Sequence, residues 1–329
     1  MESTSKTELI SPPKLIETLT KGFNAVANNI YLILFPIVLD TFLWLGPHLR
    51  VKNLLEPMVL NISSGFSDLA TPDLVNMGKW SQEIWGILLA QFNLLSLIRS
   101  FPIGIPSLMA GLSPIKTPFG SASLIEINSV LESTLLWVAF SSIGIILACL
   151  YFDAISRATS HETARFSFST ASFSLIQVFI FTFSFLFFLA LFSIPTLLII
   201  SILTLISPAL GEIALLLIGI IVFWFIMPLA FSPHGIFAEG KTIFTSITTS
   251  IRLVRNYLPG TGMFFLTALL LYQGLNILWE TAPETSWMSL VGIFGHAFIS
   301  TGLIASSFVY YRNGIAWMES KKLQAAVHP

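Results

Sequence analysis

Few residues of this chain have the chemistry for catalysis, and they are scattered. Asp40 lies within a long apolar run, toward its far end, and Glu132 stands near the start of the next. Ionisable groups in such runs are costly to bury, and a functional role is the first hypothesis for them. If the two carboxyls met in a low dielectric, one would hold its proton and the pair could share it. That role predicts that Asp40→Asn impairs any proton-coupled activity. The competing reading sends each group to water at the end of its run, or to a cation such as Arg50, and position favours it: neither residue stands mid-run. His296 is the histidine set well inside an apolar run. A buried imidazole could ligate a porphyrin or relay protons. Its commoner use is a hydrogen bond to a facing helix.

Beyond these residues, catalytic spacing is missing. Asp153, His161, Glu162 and His234 do not form HExxH or another metal-binding pattern. There is no GxSxG, no Walker loop and no dinucleotide fingerprint. Cys149, the one cysteine, sits among apolar neighbours and reads as a small buried hydrophobe. The expectation is a protein that is not an enzyme and carries no cofactor or metal. With 16 basic and 17 acidic residues and no dense basic block, nucleic acid is not an expected partner.

The elements that must position these residues follow from composition. Of 329 residues, 54% are apolar and only 10% charged, and the mean hydropathy is +0.83. A soluble domain carries about 25% charged residues, so this is the composition of a polytopic membrane protein. Six runs approach the ~20 apolar residues that a helix needs to cross a bilayer: 29–46, 130–152, a third from Phe173, then 213–231, 260–279 and 288–311. They must be helices, because lipid offers the backbone no partners. The first run starts late and lacks a small-residue cleavage site, so it reads as a retained span and signal anchor. The third has no charge from Phe173 to Ile206. A straight helix of that length would measure ~50 Å, so it must tilt, kink or project. Pro195 is the expected kink, and Ser207-Pro208 the turn into the fourth span.

Basic residues set the orientation. With the N-terminus in the cytoplasm, eleven of the 16 fall inside and five outside, and all five lie in one long loop. Both termini are therefore expected in the cytoplasm and the chain in the plasma membrane, here a bacterial inner membrane. Trp279, Trp287, Tyr310 and Tyr311 stand at span ends, where interfacial anchors belong.

The whole reads as a single all-α membrane domain of three similar units, each an amphipathic segment, a span, a turn and a returning span. The first segment, 14–28, has Leu15, Leu19, Phe23 and Val26 on one stripe. The second is 156–174. The third, 241–258, aligns Ile243, Phe244, Ile247, Ile251, Val254 and Leu258, and adds Arg252 and Arg255 as contacts for lipid phosphates. Between the first two spans lies an outer insertion, 47–129. Apolar residues recur at helical spacing over 50–70 and 73–100, with Asp73 a candidate N-cap, and a Pro- and Gly-rich irregular loop follows. Insertions often carry function, so 50–100 is where protein subunits of a membrane complex would dock. Ala297, Thr301 and Ala305 form a small-residue stripe suited to close helix packing.

Glu239-Gly240 through Ser246, Ser250 and Arg255-Asn256, and the ending Phe308-Val-Tyr-Tyr311-Arg312, resemble a broad group of bacterial six-helix membrane proteins. That group is related to the membrane domain of glycerophosphoryl diester phosphodiesterases. The resemblance covers the last third of the chain. It implies a six-helix bundle with cytoplasmic amphipathic helices, and no catalytic residues to carry over. The long insertion departs from the pattern. The expected function is a non-enzymatic scaffold, accessory subunit or lipid-organising protein. The alternative is a small carrier of a lipid or apolar substrate, its path opened by breaks at Pro36, Pro195 and Pro228.

Overall fold

A computed structural model describes residues 11–67, 72–160 and 167–327, and the fold is 80% helical. Helix α1 (Leu15–Asn28) leads through a 3-10 turn at Ile30–Ile33 into α2 (Leu34–Leu45), and the run Ile30–Leu45 leaves α1 at a bend of 90°. Then come β1 (His48–Arg50), α3 (Lys52–Ser67), α4 (Pro72–Gln91), a 3-10 stretch at Leu94–Arg99 and α5 (Met109–Leu112). Three short strands follow, β2 (Lys116–Thr117), β3 (Gly120–Ser121) and β4 (Leu124–Glu126). The long helices are α6 (Val130–Ala158), α7 (Phe168–Ile206) and α8 (Pro208–Ile226). The chain ends with α9 (Ser232–Glu239), α10 (Ile243–Asn256), α11 (Leu258–Trp279) and α12 (Ser289–Val327). Among the described residues five helical stretches are long and apolar enough to cross a membrane, and six if α1 and Ile30–Leu45 form one bent span.

Local chemistry explains several boundaries. Ser207, pushed to extended backbone by the proline after it, ends α7, and Pro208 starts α8 at the position where its missing N–H costs nothing. Gly240 ends α9 with φ of 61°, a left-handed conformation that favours glycine. Pro195, expected to kink the third span, stands within a helix assigned without interruption over 39 residues. At 1.5 Å per residue α7 is ~58 Å long. From Phe183 to Ile206 none of its side chains is buried.

Residue contacts divide the chain into two compact units. One comprises Met1–Leu32, Cys149–Tyr272 and Thr301–Pro329. Its core holds Phe231, Leu253, Val254, Phe264, Tyr310 and Tyr311, with the Phe231 and Tyr310 rings stacked 5.5 Å apart. Tyr310 and Tyr311 are thus core residues and not interfacial anchors, because α12 continues past them to Val327 and their rings turn inward. The other unit comprises Ile33–Ala148 and Gln273–Ser300. Here β1 pairs in parallel with β4, His48 opposite Leu124, over a small core of Val51, Leu94 and Ile127.

The insertion at 47–129 contains the two expected helices as α3 and α4. The second starts at Pro72, so Asp73 lies inside it and is not its N-cap. It stops at Gln91, and Asn93 then accepts from the amides of Leu95 and Leu49, both at 3.1 Å. The strands within 101–129 were not expected. The segment 156–174 is not a separate helix in the described residues: α6 runs to Ala158, α7 starts at Phe168, and 161–166 lie outside them.

Candidate functional site

Asp40 is fully buried on α2 and is enclosed by backbone. Its carboxyl accepts hydrogen bonds of 3.1 Å from the amides of Leu108 and Met109, at the start of α5, and another from the Ser107 hydroxyl. All three partners donate, so the carboxyl serves as an acceptor that anchors the Pro- and Gly-rich loop. Glu132 is exposed in the first turn of α6, where an acidic group suits the helix dipole. The two carboxyls are not brought together. Arg50 pairs with Glu126 at 3.2 Å, across the β1–β4 ladder. Beside it His48 is buried, and burial, then the positive charge of Arg50, hold its pKa below the ordinary imidazole value.

His296, also buried, meets Asn276 of α11 through Nδ1 at 2.8 Å. Ala297, Thr301 and Ala305 are all fully buried, and the Thr301 hydroxyl lies 2.8 Å from the Tyr151 hydroxyl on α6. His234 is buried as well, with Nε2 at 2.7 Å from Ser307 Oγ and its ring 4.4 Å from that of Phe308. His161 lies outside the described residues. No three His, Cys, Asp or Glu side chains converge as a metal ion requires, among the described residues.

α10 buries one face. Ile243, Ser246, Ser250, Leu253 and Val254 are buried. The serines allow close approach: Ser250 donates to the Pro228 carbonyl at 2.6 Å and accepts from the Phe231 amide at 3.1 Å. Phe244 is 76% exposed, and Leu258, at the start of α11, is exposed too. Arg252 and Arg255 are exposed as well. The expected single stripe of Ile243, Phe244, Ile247, Ile251, Val254 and Leu258 is therefore split, because the small serines draw the buried face to one side. α1 is built alike, with Thr18, Gly22 and Val26 buried and Ile16 exposed. Gly22 lies against Ser306 of α12 so closely that a Cβ would overlap it.

Sequence reasoning missed a pocket of about 260 Å³ lined by α1, the end of α6 and α12. Lys21, Asn24, Asn28, Thr159, Arg312 and Asn313 supply its polar groups. In the sequence Arg312 stands out as a basic residue and as the end of the stretch Phe308-Val-Tyr-Tyr311-Arg312, with no site attached to it. Its position one residue after two buried tyrosines was the available signal. On α3 and α4, Met58, Trp80, Ile84, Trp85, Ile87 and Leu88 are all exposed.

No family model matches the chain, and neither a curated protein nor a solved structure matches it.

Proposed function

We propose that this chain is a non-enzymatic integral membrane protein, a lipid-organising scaffold or an accessory subunit of a membrane complex. The observation that carries the reading is the outward surface of α7 and α8. Phe187, Phe192, Leu216 and Phe225 are 64%, 65%, 63% and 74% exposed, and the apolar neighbours between them extend the surface along both helices. Contiguous apolar surface of this extent marks contact with lipid or another protein. The few ionisable side chains within the spans support the non-enzymatic part: Asp40 anchors a loop and His296 joins two helices.

In this reading the chain crosses a bacterial inner membrane six times, with Ile30–Leu45 as a short first span and both termini in the cytoplasm. The distribution of basic residues supports that orientation. α1 and α10 lie along the cytoplasmic leaflet, where Ile16 and Phe244 enter lipid and Arg252 and Arg255 meet phosphates. Carriage of a lipid is the second reading, favoured by the 3-10 turn at Met227–Leu229, which interrupts the fourth span at Pro228.

The test is mass spectrometry of the tagged protein extracted in native bilayer discs, reading proteins and lipids together. A stoichiometric partner protein or a selectively enriched lipid is the expected result. Bulk lipid alone, with no partner, would overturn it. Reconstituted lipid transfer between vesicles would move the second reading to first place.

A further inference from the structure

We propose that the pocket between α1, the end of α6 and α12 binds a phosphate group. This deepens the lipid-organising reading by naming the chemistry that would be recognised, and it rests on that reading for the lipid source. The lining holds two cations, Lys21 and Arg312, three carboxamides, Asn24, Asn28 and Asn313, and the hydroxyls of Thr159 and Ser160. Among the described residues no carboxylate lines it. Ala25, Ala158 and Val309 make the apolar part of the wall. At about 260 Å³ it is smaller than the ~300–1,000 Å³ of sites that enclose a drug-sized ligand. It therefore suits a headgroup better than a whole molecule.

Arg312 is the centre of the site. Its Nη1 donates to Thr159 Oγ1 at 2.7 Å, and its Nη2 donates to the Ser156 carbonyl at 2.8 Å and to Ser156 Oγ at 3.0 Å. A guanidinium has five N–H donors in a fixed plane. These contacts fix that plane against the last turn of α6 and leave two donors over. A pre-positioned guanidinium is the group best matched to phosphate oxygens. Lys21 keeps an ion pair with Glu17 at 2.8 Å and has further donors of its own. Asn24, Asn28 and Asn313 bring amide donors to the rim. Two cations and three carboxamides among the lining residues match the charge and the acceptors of a phosphate oxyanion.

Two sources share this chemistry, the headgroup of an anionic phospholipid and a free phosphate. The full chain would be purified in detergent. Bound lipid would be measured by native mass spectrometry with phosphatidylglycerol or with diacylglycerol of the same acyl chains. Inorganic phosphate would be titrated separately by calorimetry. Phosphatidylglycerol should be retained and diacylglycerol not. Lys21→Gln and Asn24→Leu, both on the exposed side of α1, should each weaken phosphatidylglycerol by about tenfold, the effect of losing one charge-assisted contact. Arg312→Gln should weaken it more, but this residue also ties down the end of α6. The two α1 variants therefore decide the matter if that protein fails to fold. Binding of inorganic phosphate, lost in the same variants and without selective lipid retention, would assign the pocket to a free phosphate. Equal retention of phosphatidylglycerol by wild type and both α1 variants would overturn the site, as would no binding of either probe. A lipid enriched equally around wild type and variants in native discs would leave the lipid-organising reading standing while the pocket fell.

Discussion

Asp40 accepts a 3.1 Å hydrogen bond from the amide of Met109, a residue 69 positions further along the chain. With the Leu108 amide and the Ser107 hydroxyl, it gives one buried carboxyl three donors. This fastens the loop before α5 to α2 and fixes where that loop lies.

Asp40→Asn keeps the shape but replaces one acceptor oxygen with an amide that can only donate. It would face a backbone N–H that has no other partner. An unsatisfied buried donor costs ~1–3 kcal/mol. The variant should therefore lose thermal stability in detergent and exchange the Leu108 and Met109 amides faster. Asp40→Ala should lose at least as much. Exchange at those amides equal to wild type would show that the carboxyl does not hold the loop.

A second expectation concerns Gly22. Its Cα abuts Ser306 with no room for a side chain, and Phe23 beside it presses on Gly302. Enlarging a tightly packed contact costs ~1–3 kcal/mol. Gly22→Leu should push α1 off α12 and raise proteolysis near the N-terminus. Gly86→Leu, where nothing lies within 4 Å of the added Cβ, is the control and should leave stability nearly unchanged. A fall in stability no greater than the control's would remove the proposed seat of α1.

The long apolar helices were legible because periodicity and length speak directly. The helices α6, α8, α11 and α12 lie where apolar runs of the expected length stand, and Ser207-Pro208 makes the turn its dipeptide announces. What failed had non-local causes. β1 and β4 pair across more than seventy residues, and three-residue strands have no periodicity to read. Tyr310 and Tyr311 look like interfacial anchors only if the span ends there, and α12 does not end there. Asp40 was singled out by its cost in lipid, but its partners are two backbone amides and a serine of the loop, which side-chain chemistry alone cannot nominate. The buried face of α10 follows Ser246 and Ser250, so small residues mattered there more than hydropathy.

His48 gives the unit around β1 a pH dependence of known sign. Its folded pKa lies below the ordinary 6.5, because burial and the nearby Arg50 disfavour the imidazolium, against the opposing charge of Glu284. The unfolded chain therefore takes up this proton first as pH falls. Stability from this group is full above pH ~6.5 and declines below it, by at most about 1.4 kcal/mol per unit, until the folded imidazole also protonates. Thermal unfolding in detergent should shift downward between about pH 7 and pH 5. His48→Asn should flatten part of that slope. An identical slope in the variant would assign the effect to other groups.

The insertion at 47–129 supplies the last expectation. Trp80 is 72% exposed, and Ile84, Trp85, Ile87 and Leu88 continue its surface along α4, with Met58 exposed on α3. Aromatic residues of this kind favour the boundary between headgroups and hydrocarbon. They are also the residues enriched at the centres of protein interfaces. The one cysteine of the chain, Cys149, is buried, so a cysteine introduced at the surface can be labelled selectively. Ile84→Cys carrying a polarity-sensitive dye should shift its emission to the blue when the protein moves from detergent into vesicles, if α4 rests on lipid. Quenching by brominated lipid should then follow. If the emission is unchanged in vesicles of pure lipid but shifts blue in native discs, the surface is held by a protein partner. Trp80→Ala together with Trp85→Ala should then release that partner. A dye that reports water in both environments would assign α4 to neither lipid nor partner, and would remove α4 from the functional surface.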